Sequence, residues 1–263
     1  MATFEEMTKY LDQKKLITIL KRFVDTKASA PEVAKYFKVK DNMDFYATDY
    51  GCMIALSFEN KWKGGWNVAE SGTKYVKMDK EMTQYDRIPE YVTIKKGNKK
   101  EVLPTGEFVE YPDVEGLFSR FDVRKFGKMI LGMEDVDKLI AIHEGIEVFR
   151  KVSGDYFACR MMADNGKLII SLNGTEGMEL NYVTELKSSK FKTSKPFYYN
   201  PSYMVSILKS LKDLKIEKTM MFLNDDDPLL FYTKDIEYVF KFAFNRLLVK
   251  EDKKEDEQLG FDL

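Results

Sequence analysis

The sequence predicts an α+β protein of two similar domains, each laying helices against antiparallel sheets. Three observations carry that prediction. A few segments repeat apolar residues at helical spacing with a charged opposite face. Short runs of aromatic and branched residues, bounded by turn dipeptides, fill the space between them. The order helix, strands, weak helix, strands then occurs twice along the 263 residues, as a repeat of pattern without a visible repeat of sequence.

The first helix is expected from Asp12 to about Ala28, where Leu16, Ile19, Leu20 and Phe23 recur at helical spacing over roughly 25 Å. Lys14, Lys15, Lys21 and Arg22 fall on the other side of that wheel, interrupted by Asp25, so one face is apolar and the other basic. Strands are expected at Val33–Val39, Phe45–Thr48 and Cys52–Phe58, separated by turns at Asp41-Asn42 and Tyr50-Gly51. Residues 60–72 carry Gly64-Gly65 and both tryptophans and read as a loop. Trp62 and Trp66 there either stack on a base or pack locally.

Tyr75–Met78, Tyr91–Lys96 and Glu107–Tyr111 read as further strands. Asp79 to Ile88 has room only for a short helix, which Pro89 stops. A boundary at 112–117 divides the chain into a first domain (1–112), a linker (113–117), a second domain (118–249) and a charged tail (250–263).

In the second half a helix is expected from Asp122, a good N-cap, with Phe126, Met129, Ile130 and Met133 on one side and Arg124, Lys125 and Lys128 elsewhere. Strands follow at Tyr156–Met162, Leu168–Leu172 and Met178–Leu186, with hairpin turns at Asp164-Asn165-Gly166 and Asn173-Gly174. A third helix starts after Asn200-Pro201, an N-cap followed by a proline suited to the first helical position, and runs to about Lys212. Strands at Lys218–Leu223, Leu229–Tyr232 and Tyr238–Phe244 come last.

A 44% share of apolar residues supplies a core, and no stretch approaches the roughly 20 uncharged apolar residues of a membrane span. The opening MATFEEMTKYLDQKK lacks the apolar centre of a signal peptide, which points to the cytoplasm. Cys52 and Cys159 show no metal-ligand spacing and read as reduced core residues. No metal or cofactor is expected. With 42 Lys+Arg against 43 Asp+Glu the net charge is −1, so the placement of charge, not its total, decides whether nucleic acid is a partner.

Nothing in the chain assembles a familiar catalytic pattern. His143, the single histidine, stands beside Glu144 with no second ligand in sight and reads as a surface or helix-end residue. Asp225-Asp226-Asp227 reads as a solvated turn, and neither GxxxxGK[ST] nor GxGxxG occurs. An enzyme is not expected. The enzymatic alternative is a metal-dependent site of dispersed carboxylates, with Asp49 and Glu179 as its candidates.

Two segments go beyond pattern. Phe197 to Leu247 contains Asn200-Pro201 with Tyr203, then Pro228, then Arg246-Leu247. It is similar to the last domain of the bacterial beta sliding clamp, with its FNPKYL-type helix start, central Pro and terminal aromatic-x-M-P-x-R-L strand. Phe45 to Phe58, FYATDYGCMIALSF, resembles the ATDG-type strand pair of the same family's earlier domains, and Tyr111-Pro112-Asp113 its aromatic-Pro-acidic domain ending. The chain departs from the family in two respects. It has room for two domains, as in the clamps of archaea, eukaryotes and some phages, and Ala243-Phe244-Asn245 replaces the terminal M-P-M.

The resemblance implies a DNA-clamp fold with sheets on the outside and helices on the inner face of a ring, a homotrimer if six domains complete it. It implies a DNA polymerase processivity factor that encircles double-stranded DNA without sequence specificity and works with a DNA polymerase and a clamp loader in a bacterial or phage-infected cell. Channel residues would be Lys14, Lys15, Lys21, Arg22, Arg124, Lys125, Lys128, Lys209 and Lys212, long side chains that attract phosphate without register. The alternative is that solubility alone explains these lysines. A groove for a partner's extended peptide would have Thr48, Tyr50, Gly51 and Met53 on one wall and Phe242, Phe244 and Arg246 on the other, unless these simply pack in the core.

The tail runs KEDKKEDE over 250–257 and then QLGFDL, which resembles the QLxLxL-type peptides by which partners bind the bacterial clamp. Gln258, Leu259, Phe261 and Leu263 would form a tethered ligand for its own groove, a neighbour's or another clamp's, the alternative being a frayed end. A monomeric clamp-fold accessory protein of replication or repair is the other functional reading.

Overall fold

A computed structural model of the chain describes residues 13–40, 44–58, 73–78, 91–96, 99–104, 111–153, 159–164, 167–173, 179–185, 192–225, 227–234 and 238–244. Helix α1 is Gln13–Leu20. It is shorter than the sequence pattern predicts, because the chain tightens into a 3-10 turn at Lys21–Phe23 and becomes extended at Val24. Asp25 then holds the new direction: its N–H donates to the Ala34 carbonyl at 2.9 Å, and its carboxylate accepts the Lys27 N–H at 3.0 Å.

After a 3-10 turn at Glu32–Lys35 come strands β1 (Tyr36–Lys40), β2 (Asp44–Thr48), β3 (Cys52–Phe58) and β4 (Thr73–Lys77). β5 (Tyr91–Lys96) pairs with β6 (Lys99–Pro104) as a separate hairpin. The charged KKEVLP sequence of β6 hides it from a search for apolar runs. The short helix α2 (Val114–Ser119) follows, capped by the Asp113 carboxylate on the Gly116 N–H at 2.9 Å.

The helix expected from Asp122 is not formed. Asp122 caps only a 3-10 turn at Val123–Lys125, and the next residues are strand β7, Gly127–Gly132. Phe126, Met129, Ile130 and Met133 fit a helical spacing, but Met129 and Leu131 are buried while Lys128 and Ile130 between them are exposed, the period of a strand. Six residue pairs with a later strand set that register. The long helix α3 begins only at Met133 and runs to Ser153, with the Asp135 carboxylate reaching back to the Gly132 N–H at 2.9 Å.

Strands β8 (Cys159–Asp164), β9 (Lys167–Asn173), β10 (Glu179–Glu185) and β11 (Phe197–Tyr199) are followed by α4 (Pro201–Asp213), capped by Asn200 with Pro201 at its first position. β12 (Lys218–Leu223), β13 (Leu229–Lys234) and β14 (Tyr238–Phe244) end the described chain. The sheets are antiparallel, with order β4-β1-β2-β3-β14-β13-β12-β7 in the larger and β10-β9-β8-β11 in the smaller.

Two features of this topology position everything that follows. First, α1 with β1-β2-β3 and β4 repeats as α3 with β8-β9-β10 and β11: a helix, a three-strand meander and a fourth strand on the first. Second, β3 of the first half pairs with β14 of the second along seven residue pairs, from Phe58↔Tyr238 to Cys52↔Phe244. One face of the resulting eight-stranded sheet carries the helices. Leu16, Leu20 and Phe23 from the first half meet Met204, Ile207 and Leu211 of α4, Leu139 of α3 and Phe240, Phe242 and Phe244 of β14 in a single core. Residues 111–126 pack on part of the opposite face.

Candidate functional site

On the helix side, α3 and α4 lie against each other and α1 reaches α4. Arg22 binds the Asp213 carboxylate at 2.6 Å and the Ser210 hydroxyl at 3.1 Å. Lys209 pairs with Glu144 at 2.6 Å, and Lys212 with Asp137 at 2.7 Å, which raises the Lys212 pKa above its ordinary value. Three of the cations expected to face a polyanion therefore share one layer, and each has a carboxylate of that layer as its nearest partner. α3 brings two of those three acids, Asp137 and Glu144. Lys15 and Lys21 are half-buried beside them, and Lys14 lies on α1.

Arg124, Lys125 and Lys128 belong elsewhere, because the helix that was to carry them does not exist. Arg124 and Lys125 are exposed on the 3-10 turn, Arg124 clasping Asp122 at 2.8 Å. Lys128 projects from β7 opposite to Met129 and Leu131, and those two belong to the helix-side core, so Lys128 faces away from the helices.

The other side of the large sheet holds an apolar groove of about 320 Å³. Its floor is Met220 and Phe222 of β12 with Leu230 and Tyr232 of β13. Its wall is Phe118, Phe121 and Val123 of the connecting segment, and Lys241 of β14 stands at the rim. Its floor belongs to two cross-strand rows that run on across this face of the sheet: Ile130, Met220, Tyr232 and Lys241 in one, and Lys128, Phe222, Leu230, Ala243 and Met53 in the other. Tyr111 docks the connecting segment on this face, its hydroxyl donating to the Tyr46 carbonyl at 3.1 Å, and the Phe118 and Phe121 rings meet edge to face at 6.5 Å.

The groove residues expected from sequence divide accordingly. Met53 lies in the second row, two strands from Leu230. Thr48 is buried in the β2–β3 turn, donating to the Cys52 carbonyl and accepting the Tyr50 N–H. Tyr50 is 49% exposed at that turn, and Gly51 lies against Tyr203. Phe242 and Phe244 form no wall: they are 0% and 1% exposed in the helix-side core, because the alternation of β14 sends them there and turns Lys241 and Ala243 toward the groove. Arg246, Gln258, Leu259, Phe261 and Leu263 lie outside the described residues.

No family model matches the sequence, and no curated protein matches it. Solved structures do match by fold. The beta subunit of DNA polymerase from Streptococcus pyogenes superposes with a TM-score of 0.62 at 15% identity, over 90% of this chain and 64% of that one. A putative DNA polymerase III beta subunit from Eubacterium rectale gives 0.59 at 11%, over 90% and 65%. Proliferating Cellular Nuclear Antigen from Entamoeba histolytica gives 0.55 at 12%, over 89% of this chain and 94% of that one. This chain has the fold of the DNA sliding-clamp superfamily. It spans about two thirds of the length of the bacterial beta subunits and nearly all of the antigen's.

Sequence reasoning missed the wall of the groove. Its signal was present in LFSRFDVRKF, residues 117–126, where three phenylalanines occupy a stretch otherwise rich in charge. It also misplaced His143, which is fully buried where α3 meets the smaller sheet. The ring lies 2.6 Å from the Leu139 carbonyl through Nδ1 and 2.6 Å from the Tyr199 hydroxyl through Nε2. Nδ1–H therefore donates, Nε2 accepts, and burial lowers the pKa to about 4, so the ring is neutral at pH 7.

The carboxylates weighed as an enzymatic alternative do not gather. Asp49 accepts the Gly51 N–H at 3.0 Å and the Cys52 N–H at 2.7 Å and serves the β2–β3 turn, while burial raises its pKa against those bonds. Glu179 opens β10. Asp225 accepts the Ser194 and Lys195 N–H groups at 2.9 and 3.1 Å. Among the described residues no three His, Cys, Asp or Glu side chains form a metal-binding group, and no helix is long and apolar enough to cross a membrane.

Proposed function

We propose that this protein is a DNA polymerase processivity factor that closes with copies of itself into a ring around double-stranded DNA, without sequence specificity. The observation that carries the reading is the outer edge of β10. In the first repeat the corresponding edge, that of β3, is taken by β14. In the second repeat β10 ends its sheet among the described residues, leaving a row of backbone donors and acceptors where a strand of another copy fits head to tail. Six such units around a ring make a homotrimer of two-domain chains.

In that ring the helices face the DNA, and Lys14, Lys15, Lys21, Arg22, Lys209 and Lys212 meet the phosphates, so attraction carries no register and the ring slides. The apolar groove on the opposite face accepts an extended peptide of a DNA polymerase or a clamp loader in the cytoplasm of the host cell. The ion pairs within the helix layer favour a second reading, a monomeric clamp-fold accessory protein with weak affinity for DNA.

Light scattering on the chromatographed protein at two concentrations separates the two. A mass near three times the 30.7 kDa of the chain, with retention on closed circular but not linear DNA, is the expected result. A monomer at every concentration, with or without a loader and DNA, overturns the ring.

A further inference from the structure

We propose that the groove has a resident ligand in the same chain: residues 258–263 fold back across the sheet and lie along Phe121, Phe222 and Leu230, so that a partner's peptide must displace them. This rests on reading the groove as a peptide site.

Three observations select this occupant. The first is pattern. Leu259, Phe261 and Leu263 alternate with Gly260 and Asp262, so an extended segment presents three apolar side chains on one side, as a groove floored by Met220, Phe222 and Leu230 requires.

The second is reach. Lys241 at the groove rim and Phe244, the last described residue, are on the same strand, about 10 Å apart at the rise of a strand. Thirteen residues then separate Phe244 from Gln258. A chain of that length spans about 20 Å as a coil and at most about 50 Å extended, so the rim lies well inside its range. Tethering at that distance holds the ligand at an effective concentration of about a millimolar.

The third is charge. Residues 250–257 contain three lysines against five carboxylates. The face they must cross carries exposed Lys125 and Lys128, the latter directly opposite Phe222 in the strand ladder, and Lys241 at the rim. These are the cations that turn away from the helix layer, and on this face they meet an acidic segment rather than DNA.

The test uses the full chain and its Leu259→Ser/Phe261→Ser variant, with a fluorescein-labelled QLGFDL peptide as probe and anisotropy as readout. The peptide is expected to bind the variant at least about tenfold more tightly than the native chain, and the added substitution Phe121→Ala is expected to abolish the gain. The gain should persist on about a hundred-fold dilution, since a tethered ligand is indifferent to protein concentration. Equal binding to both chains overturns the proposal and leaves the groove as a peptide site. A gain that disappears on dilution assigns the segment to another copy and also overturns it. Binding to neither chain overturns both the resident ligand and the peptide groove, whereas ring formation is read separately from mass in solution.

Discussion

A Cβ atom on Gly51 would sit 2.1 Å from the hydroxyl oxygen of Tyr203. The β2–β3 turn of the first half thus presses, through its one residue without a side chain, on the first turn of α4 in the second half. Tyr203 is itself held against Phe244, ring centroids 6.2 Å apart, so it has little room to yield. Gly51→Ala is expected to cost about 1–3 kcal/mol as an overpacking substitution. In combination with Tyr203→Ala the cost should be less than the sum of the two single changes, as urea denaturation of the four proteins will read.

The pair of His143 and Tyr199 predicts a pH dependence. The folded pKa lies near 4, below the 6.5 of the free side chain, so the unfolded chain takes up the proton first. The contribution is complete above pH 6.5 and is lost as pH falls from there toward 4, about 3 kcal/mol in all. Relative to His143→Gln, the native protein should lose about 2 kcal/mol of unfolding free energy between pH 7 and pH 5. Parallel curves for the two proteins would show that His143 does not carry the effect.

The acids of α3 restrain the helix layer. Asp137→Asn with Glu144→Gln leaves Lys212 and Lys209 without their carboxylates. Exposed pairs of this kind contribute little to stability, so the fold should hold. Affinity for a DNA duplex should rise about three- to tenfold at low salt, with a steeper dependence on salt concentration, measured by anisotropy over a salt series. No change in either would remove Lys209 and Lys212 from the proposed DNA-facing set.

The groove and the core are separable by substitution. Phe121→Ala, at a partly buried wall position, should weaken binding of a clamp-directed polymerase peptide about tenfold and shift the melting temperature little. Phe242→Ala, in the core, should instead cost about 3–5 kcal/mol of stability. Calorimetry and peptide titration on the two variants distinguish these roles.

The elements that the sequence marked correctly are those whose signals are local. Cys52–Phe58, Tyr91–Lys96, Lys218–Leu223 and Tyr238–Phe244 form strands at the expected bounds, and Asn200-Pro201 opens α4 as a cap and first-turn proline should. The clamp fold itself was legible, because a few turn, cap and strand residues occur in the order that the topology needs. The groove was not legible: among the described residues, none of those expected to line it borders the cavity, although the F-K-F-A-F alternation of β14 already separates Phe242 and Phe244 from Lys241 and Ala243.

By itself, then, the sequence determined the class of fold, the duplication and which residues are cationic, since propensity, alternation and capping act over a few residues. Only the tertiary structure decided what those residues face. Residues 126–133 satisfy both the helical and the strand period, and pairing with β12, some ninety residues later, selects the strand. His143 has polar Glu144 beside it in the chain, yet Tyr199, 56 residues away, makes it a buried acceptor. Lys209 is one positive charge in any count; its neutralisation by Glu144 exists only because α4 packs on α3. Burial, pairing and the sign of a surface depend on which distant segments meet, and a coulombic or packing energy falls off too steeply with distance to be read from position along the chain.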